Sequence, residues 1–160
     1  AKKAETATEA RKLLEDVLHN GNALEKMRQL IKCQGGNDKV IDKTELLPQA
    51  VYQEPIKSSK KGYIHFIDAE KIGICAMKLG AGRAKKDDRI DPSVGIKLIK
   101  KIGDRVDLND TLMIIHARSS KDAEIIKEEL AAAIMIKDDV IKKPKLIFGA
   151  VTEKGFEAFQ

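Results

Sequence analysis

The sequence is poor in aromatic side chains and in cysteine. Aromatic residues make up 4% of the 160 residues, and tryptophan is absent. So few rings argue against a platform on which nucleic-acid bases could stack. The two cysteines, Cys33 and Cys75, form no Cys-x-x-Cys pair and have no histidine at metal-ligand spacing. The sequence therefore indicates neither a zinc site nor a disulfide framework, and it predicts buried thiols in a reducing compartment.

Long apolar runs are also missing. No stretch approaches the roughly 18 consecutive apolar residues that a membrane-spanning helix needs. The first residues contain no charged segment followed by an apolar one, so we expect no secretory leader. We expect no membrane partner and a cytoplasmic location.

Charge of both signs is abundant and mixed. Lys and Arg number 30 against 25 Asp and Glu, a formal net charge of +5. Basic residues alternate with acids, as in Lys137-Asp138-Asp139, and this mixing favours a solvated surface over a nucleic-acid interface. We therefore expect no nucleic-acid partner. A hydrophobic content of 42% in 160 residues predicts one full domain plus an appendage.

The first third of the chain predicts two helices. Thr6-x-x-Glu9 is a capping box, and Asn20-Gly21 is a stop signal. Asn22 is predicted to cap the second helix, with Glu25 three residues later. Each helix carries one apolar stripe, and two such short helices bury too little alone, so they need a docking partner. The stripes are Ala10, Leu13, Leu14, Val17 and Leu18 in the first helix and Leu24, Met27, Leu30 and Ile31 in the second.

The rest of the chain predicts a mixed α+β domain that begins near residues 48–52. A helix from about Ala69 to Leu79 is capped by Asp68, and another from about Ser120 to Ala133 is capped by Ser119 or Ser120. Residues 103–110 suit tight turns around one short strand, whereas residues 152–160 carry no clear signal. Strands are predicted at Val51–Ile56, Gly62–Ile67, Val94–Lys100, Thr111–Ala117, Ile134–Lys137 and Lys145–Val151.

One segment resembles a phosphate-binding loop: Gly80-Ala81-Gly82-Arg83-Ala84-Lys85. A dinucleotide fingerprint requires a third glycine where this chain has Lys85, and its glycines follow a strand, whereas these follow a predicted helix. No Gly-Lys-Ser/Thr sequence ends the segment either. The pattern is therefore more typical of a helix C-terminus.

A second motif suggests a carrier domain. Residues 76–79, Ala-Met-Lys-Leu, resemble a biotin-attachment sequence, and residues 103–112 resemble the half-barrel sequence of biotinyl and lipoyl domains. The order is wrong for a carrier, because the slot for the modified lysine, residues 114–118, contains none. We therefore predict a barrel-like fold without a prosthetic group, and no cofactor.

No catalytic constellation can be recognised. The three histidines, His19, His65 and His116, lack a nucleophile or a paired carboxylate at a recognisable spacing. Acid pairs such as Asp87-Asp88 are adjacent, so their side chains diverge in regular structure. We assign no catalytic, cofactor-binding or metal-binding residue.

Residues 76–117, AMKLGAGRAKKDDRIDPSVGIKLIKKIGDRVDLNDTLMIIHA, closely resemble the C-terminal domain of broad-specificity bacterial pyrimidine-nucleoside phosphorylases. The resemblance continues upstream through GYIHFIDAEKIG and EARKLLEDVLHNGNALEKMRQLIKCQGGN. It covers the chain from about Glu9 to Val151. It implies an α/β-hammerhead, barrel-sandwich-like domain over residues 51–160, preceded over residues 1–50 by the terminal helices of a parent α/β domain.

The resemblance also implies a function for the parent protein. Such enzymes use phosphate to convert uridine or thymidine into the free base and (deoxy)ribose 1-phosphate, and the parent is expected to be a homodimer. None of the family's catalytic residues maps onto this chain, so we expect a C-terminal fragment without activity of its own. The alternative is a non-catalytic binding or assembly module with a lipoyl-like or biotinyl-like barrel.

The glycine-rich segment then has two interpretations. In the first, residues Gly80 to Asp91 form a mobile loop beside the cleft of the parent enzyme. Gly80 and Gly82 would give its backbone flexibility, and Arg83 would order the loop against the neighbouring domain. In the second, the segment is a rigid connector from helix to strand whose charged side chains are exposed to solvent.

Overall fold

Residues 3–159 are described by a computed structural model, and their contacts divide the chain between Pro48 and Gln49 into two compact units. The α-helices of this part are α1 (Ala7–His19), α2 (Asn22–Cys33), α3 (Ala69–Leu79) and α4 (Ser120–Ala131). The strands are β1 (Tyr52–Lys57), β2 (Gly62–Ile67), β3 (Gly95–Leu98), β4 (Arg105–Val106), β5 (Thr111–Ala117), β6 (Ile134–Lys137), β7 (Gly149–Thr152) and β8 (Gly155–Ala158). None of the helices in residues 3–159 is both long and apolar enough to cross a membrane.

The first unit starts with α1 and α2, joined by a very short turn. The Thr6 hydroxyl accepts the Glu9 N–H at 3.1 Å, as the capping box predicts. The predicted cap at Asn22 is wrong, because Gly21 is the N-cap residue and Asn22 is already helical. Gly21 has φ of +81°, a left-handed conformation that reverses the chain directly after α1. The second helix therefore needs no longer connection, and the Asn22 N–H donates to the Asn20 side chain instead.

The helices of the first unit have no buried residue. Two 3₁₀ turns, Asp38–Ile41 and Thr44–Leu46, follow α2. The Arg28 guanidinium holds the second half of the unit by donating to both Asp42 oxygens at 3.0 and 2.9 Å. Both predicted apolar stripes stay largely in water, with Leu14 and Leu18 more than 60% exposed.

The second unit contains two antiparallel three-stranded sheets, in the orders β1-β5-β3 and β4-β2-β6. Strand β5 lies between β1 and β3, and its apolar residues alternate with less buried ones as expected for a strand that packs on one face. Helices α3 and α4 contact each other and cover the first sheet. The Lys127 ammonium of α4 also donates to Glu54 of β1 at 2.8 Å. The α+β class predicted from the sequence is confirmed.

The main core of this unit lies between the first sheet and the two helices. The smaller cluster consists of Ile64, Val106 and Leu112 from the second sheet and the adjoining end of β5. Full burial of an aliphatic side chain contributes about 1.5–3 kcal/mol, so these clusters supply the main driving force for folding. The main core comprises Ile56, Ile72, Cys75, Leu79, Val94, Met113, Ile115, Ala117, Ala123, Ile126, Leu130 and Ala133.

Tight turns flank the two-residue strand β4, as predicted. The Asp104 carboxylate accepts the Lys101 N–H at 2.8 Å and the Lys143 ammonium at 2.6 Å. On the other side of β4, Asp110 accepts the Asp107 N–H at 3.1 Å. Each aspartate thus closes the turn of its own segment, which is the usual role of Asx side chains in turns.

The C-terminal segment differs most from the sequence prediction. The strand predicted at Lys145–Val151 forms only from Gly149, and the tail, which carried no signal, pairs back on it as β8. The Phe156 ring lies over Gly149, where an added Cβ would come within 2.8 Å of two ring carbons. The hairpin therefore depends on a glycine whose importance becomes visible only once its cross-strand partner is known. Three other predicted elements have different bounds: the strand predicted at Val51–Ile56 is Tyr52–Lys57, the one at Val94–Lys100 is Gly95–Leu98, and the helix from Ser120 ends at Ala131.

Candidate functional site

The glycine-rich segment begins as a helix stop. The Asp68 carboxylate caps the start of α3 by accepting the Lys71 N–H at 3.0 Å. At the other end, Gly80 has φ of +104°, and its N–H donates to the Met77 carbonyl at 2.9 Å. The Ala81 N–H donates to the Ala76 carbonyl at 3.0 Å, which completes the pair of bonds typical of a glycine-terminated helix. The helix C-terminus predicted at Gly80 is therefore confirmed.

The chain leaves this helix end and returns to it. The Asp91 N–H donates to the Gly80 carbonyl at 2.9 Å, so the two ends of the segment are joined by a backbone hydrogen bond. Arg118, immediately after β5, donates from Nη2 to the Leu79 carbonyl at 3.3 Å. Residues 81–90 thus form a compact loop with adjacent ends, the geometry of an Ω-loop. We call Gly80–Asp91 the glycine loop.

The tip of the glycine loop is organised by one aspartate. The Asp88 carboxylate accepts the N–H groups of Ala84 and Lys85 at 3.0 and 2.8 Å, and its own N–H donates to the Lys85 carbonyl at 3.1 Å. These bonds are all internal to the tip. Every residue from Arg83 to Ile90 is exposed.

The three residues proposed from the sequence have different surroundings. Gly80 needs its left-handed backbone, whereas Gly82 has no positive φ, and a Cβ there would make only ordinary contact with Met77 at 3.5 Å. Arg83 is exposed and makes no hydrogen bond or ion pair within residues 3–159. The structure thus brings Gly80 and Gly82 to the end of α3 and leaves the Arg83 side chain in water.

Asp91, at the base of the glycine loop, holds the next turn of the chain through its carboxylate. Its Oδ1 accepts the Ser93 hydroxyl at 2.6 Å and the Ser93 N–H at 2.9 Å. These two hydrogen bonds, with a smaller contribution from the Arg118 charge, hold the pKa of Asp91 below its ordinary value. The carboxylate therefore stays ionised beside the guanidinium.

A second polar cluster joins α3 to α4. The Lys78 ammonium lies 2.7 and 2.8 Å from the two Glu129 oxygens, and this contact lowers the pKa of Glu129. The Cys75 thiol is 0% exposed, and burial raises its pKa, so it is a poor nucleophile. Lys78 is thus an ion-pair residue inside a helix, and it does not occupy the hairpin turn that a carrier domain requires. The other cysteine, Cys33, is exposed, contrary to the predicted burial of both thiols.

The histidines are not brought together into a site. His65 lies on β2 and contacts the Asp139 carbonyl at 2.7 Å, whereas His116 lies on β5 in the other sheet. His19 contacts the Glu15 carbonyl one turn back in α1 at 2.8 Å. Within residues 3–159, no group of three or more His, Cys, Asp or Glu side chains could hold a metal ion.

Arg118 was not predicted from the sequence as a residue of this region. Its guanidinium donates to the Leu79 carbonyl, 39 positions earlier and directly before the glycine loop, and nothing in the neighbouring sequence indicates this contact. Only the knowledge that β5 ends beside the C-terminus of α3 would have pointed to it.

Comparison with known proteins gives one consistent result. Residues 63–137 match the family model of the pyrimidine nucleoside phosphorylase C-terminal domain. The chain is 46% identical over 153 residues to pyrimidine-nucleoside phosphorylases of Staphylococcus aureus strains USA300 and bovine RF122 / ET3-1, and 45% identical to that of strain MSSA476. Each match includes 96% of this chain and 35% of the relative. The chain therefore spans about a third of the length of these relatives.

Proposed function

We propose that the chain is the C-terminal part of a pyrimidine-nucleoside phosphorylase, because residues 63–137 match the family model of that C-terminal domain. The complete protein uses phosphate to release uracil or thymine from a nucleoside, leaving a (deoxy)ribose 1-phosphate. The observation that carries the proposal is the coverage: 96% of this chain aligns, but only 35% of the relative. Most of the enzyme, with its reacting groups, is then outside these 160 residues.

The chemistry of phosphorolysis supports this division. Transfer of the sugar requires groups that hold the phosphate and others that stabilise the departing base, and both sets must converge on one nucleoside. The histidines of the second unit lie on different sheets, and Arg83 has no partner within residues 3–159. The role that remains for this chain is structural, as the domain against which the catalytic part closes.

The first unit supports the same proposal independently. Its helices expose apolar stripes that include Leu14 at 63% and Leu18 at 67%. Helices of 13 and 12 residues are marginal in water without a packing partner. We propose that these stripes pack against the part of the enzyme that precedes this chain in the relatives.

The proposal is tested with the complete protein, including any sequence that precedes Ala1. Purified in phosphate buffer, it is expected to release uracil from uridine, and the release must stop when phosphate is replaced by another buffer. A variant of the complete protein that lacks residues 49–160 is the matched control and is expected to be inactive. If the complete protein releases no base from uridine or thymidine, the alternative of a binding or assembly module is favoured.

The glycine loop is proposed to lie beside the closing cleft of the enzyme, with Arg83 contacting the neighbouring domain. Two features support this role: Arg83 is exposed and has no partner among the described residues 3–159, and the backbone around Gly82 does not require a glycine. In the complete enzyme, Arg83→Ala is expected to lower turnover, and Lys86→Ala, at an exposed position of the same loop, serves as the control. Equal turnover in both variants would show that the glycine loop is only a rigid connector between α3 and β3.

Two further properties belong to the proposed enzyme. We expect a homodimer that works in the cytoplasm, on phosphate and a pyrimidine nucleoside. Light scattering of the complete protein gives the oligomeric state, and fractionation of cells gives the location. A monomer, or a protein recovered outside the cytoplasm, would overturn the respective expectation without affecting the assay of activity.

A further inference from the structure

The Arg118 guanidinium contacts the C-terminus of α3, where a positive charge is stabilising. Leu79 is the last residue of α3 and is 2% exposed, and its carbonyl is one of those that lack a donor inside the helix. Arg118 Nη2 supplies that donor at 3.3 Å. A positive charge at this end of a helix also faces the negative end of the helix dipole.

Three parts of the chain meet at this point. Arg118 Nη2 lies 3.5 Å from the position that a Cβ would take at Gly80, and the Asp91 Cβ lies 3.9 Å from the same position. The Asp91 N–H closes the glycine loop through the Gly80 carbonyl. The guanidinium thus contacts the helix end, and the returning chain bonds to Gly80, the next residue, although the three are distant in sequence.

The tip of the glycine loop has no comparable attachment. The hydrogen bonds of Asp88 join residues 84–88 only to one another, and all residues from Arg83 to Ile90 are exposed. Nothing within the tip resists its movement away from the domain. Whether the loop stays in place thus depends on its base.

We infer that Arg118 is a positioning residue that fastens the base of the glycine loop to the end of β5. While Arg118 holds the Leu79 carbonyl, Gly80 stays in place and the bond from the Asp91 N–H to the Gly80 carbonyl opens less often. The inference concerns the fold of this chain alone and does not depend on the proposed function, because no substrate enters it.

The test is amide hydrogen exchange of the 160-residue chain, measured residue by residue by NMR. Arg118→Met keeps the aliphatic stem but removes the donors. Exchange of the Asp91 N–H is expected to become about tenfold faster, the order of magnitude for losing a hydrogen bond to a charged group. The protected amides of β5 should keep their rates, because exchange reports the local opening of each region separately.

Two further variants separate positioning from general support. Arg118→Lys keeps a cation near the Leu79 carbonyl and is expected to restore part of the protection at Asp91. Arg105→Met removes the same charge from an exposed position 3.6 Å from Asp107, and it should leave Asp91 unchanged. If Arg118→Met does not fold, Arg118→Gln, which is uncharged and shorter, takes its place with the same expected acceleration.

Trypsin gives an independent measurement, because the glycine loop contains four cleavage sites, Arg83, Lys85, Lys86 and Arg89. Arg118→Met is expected to be cut there about tenfold faster than the unaltered chain, since cleavage follows the population of the open loop. Unchanged exchange and cleavage in Arg118→Met would overturn the inference. So would an acceleration spread evenly through β5, or the same acceleration in Arg105→Met.

Discussion

The two units of the chain share a similar content of apolar residues but use them differently. In the helices of residues 3–48 no side chain is buried, whereas residues 49–159 bury aliphatic side chains between a sheet and two helices. The amphipathic pattern is clearer in α1, which buries no side chain, than in α4, which buries three. Periodicity therefore indicates which face of a helix is to be buried, but not whether the partner is present in the same chain.

This difference has an energetic consequence. Hydrophobic burial is the main force that offsets the conformational entropy lost on folding. The second unit has that force within itself. The first unit relies on caps, on the Arg28–Asp42 pair and on partly exposed contacts, and exposed ion pairs contribute little.

Separating the two units should produce the largest contrast. Residues 49–160 alone are expected to unfold in one cooperative transition, with the circular dichroism of a mixed α+β domain. Residues 1–48 alone are expected to be mostly unfolded in water, because their helices have no packing partner. A cooperative unfolding transition in the isolated first unit would show that it does not need one.

Two leucines allow a matched comparison at the level of one side chain. Leu130 in α4 is 0% exposed and Leu18 in α1 is 67% exposed. Both residues are helical, so Leu→Ala changes helix propensity by the same amount at each position. Leu130→Ala is expected to lower the free energy of unfolding by about 2–5 kcal/mol, since it opens a cavity. Leu18→Ala should change it by less than about 0.5 kcal/mol. Urea denaturation measures both, and equal losses would contradict the proposed difference between the units.

The sequence predicted those features that depend on neighbouring residues. The caps at Thr6, Asp68 and Ser119 and the stop at Gly80 were predicted because each signal and its partner lie within a few positions. Asn22 was wrongly predicted as a cap, because the left-handed Gly21 allowed the helix to begin earlier.

Features that depend on distant residues could not be predicted. Strand β8 has little pattern of its own and exists because it pairs with β7, where Phe156 covers Gly149. The contact of Arg118 with Leu79 likewise requires that β5 end beside α3. For the candidate site, the loop was identified from the sequence, but Arg118, which contacts the helix end beside it, was not.

Lowering the pH should produce a smaller difference in stability between the two units. The Lys143 ammonium lowers the pKa of Asp104, as Arg28 lowers that of Asp42. A carboxylate with a lowered pKa contributes stability above its unfolded value, about pH 3.9, and loses that contribution as the pH falls through the folded value. Asp104→Asn should therefore lose less stability below about pH 4 than the unaltered chain.

The control for this prediction is Asp42→Asn, because Asp42 lies in the unit without a core. The unfolding transition of residues 49–160 should respond to Asp104→Asn and not to Asp42→Asn. Denaturation curves between about pH 5 and pH 2 measure both variants. An acid profile of Asp104→Asn that coincides with the unaltered one would show that the Lys143 contact does not stabilise the fold.

We propose that this chain supports a phosphorolytic enzyme without supplying its reacting groups. The direct measurement is the release of uracil when the folded 160-residue chain is incubated with uridine and phosphate. We predict a rate equal to that of a blank without protein. Steady release above the blank, dependent on phosphate and proportional to the concentration of the chain, would contradict the claim.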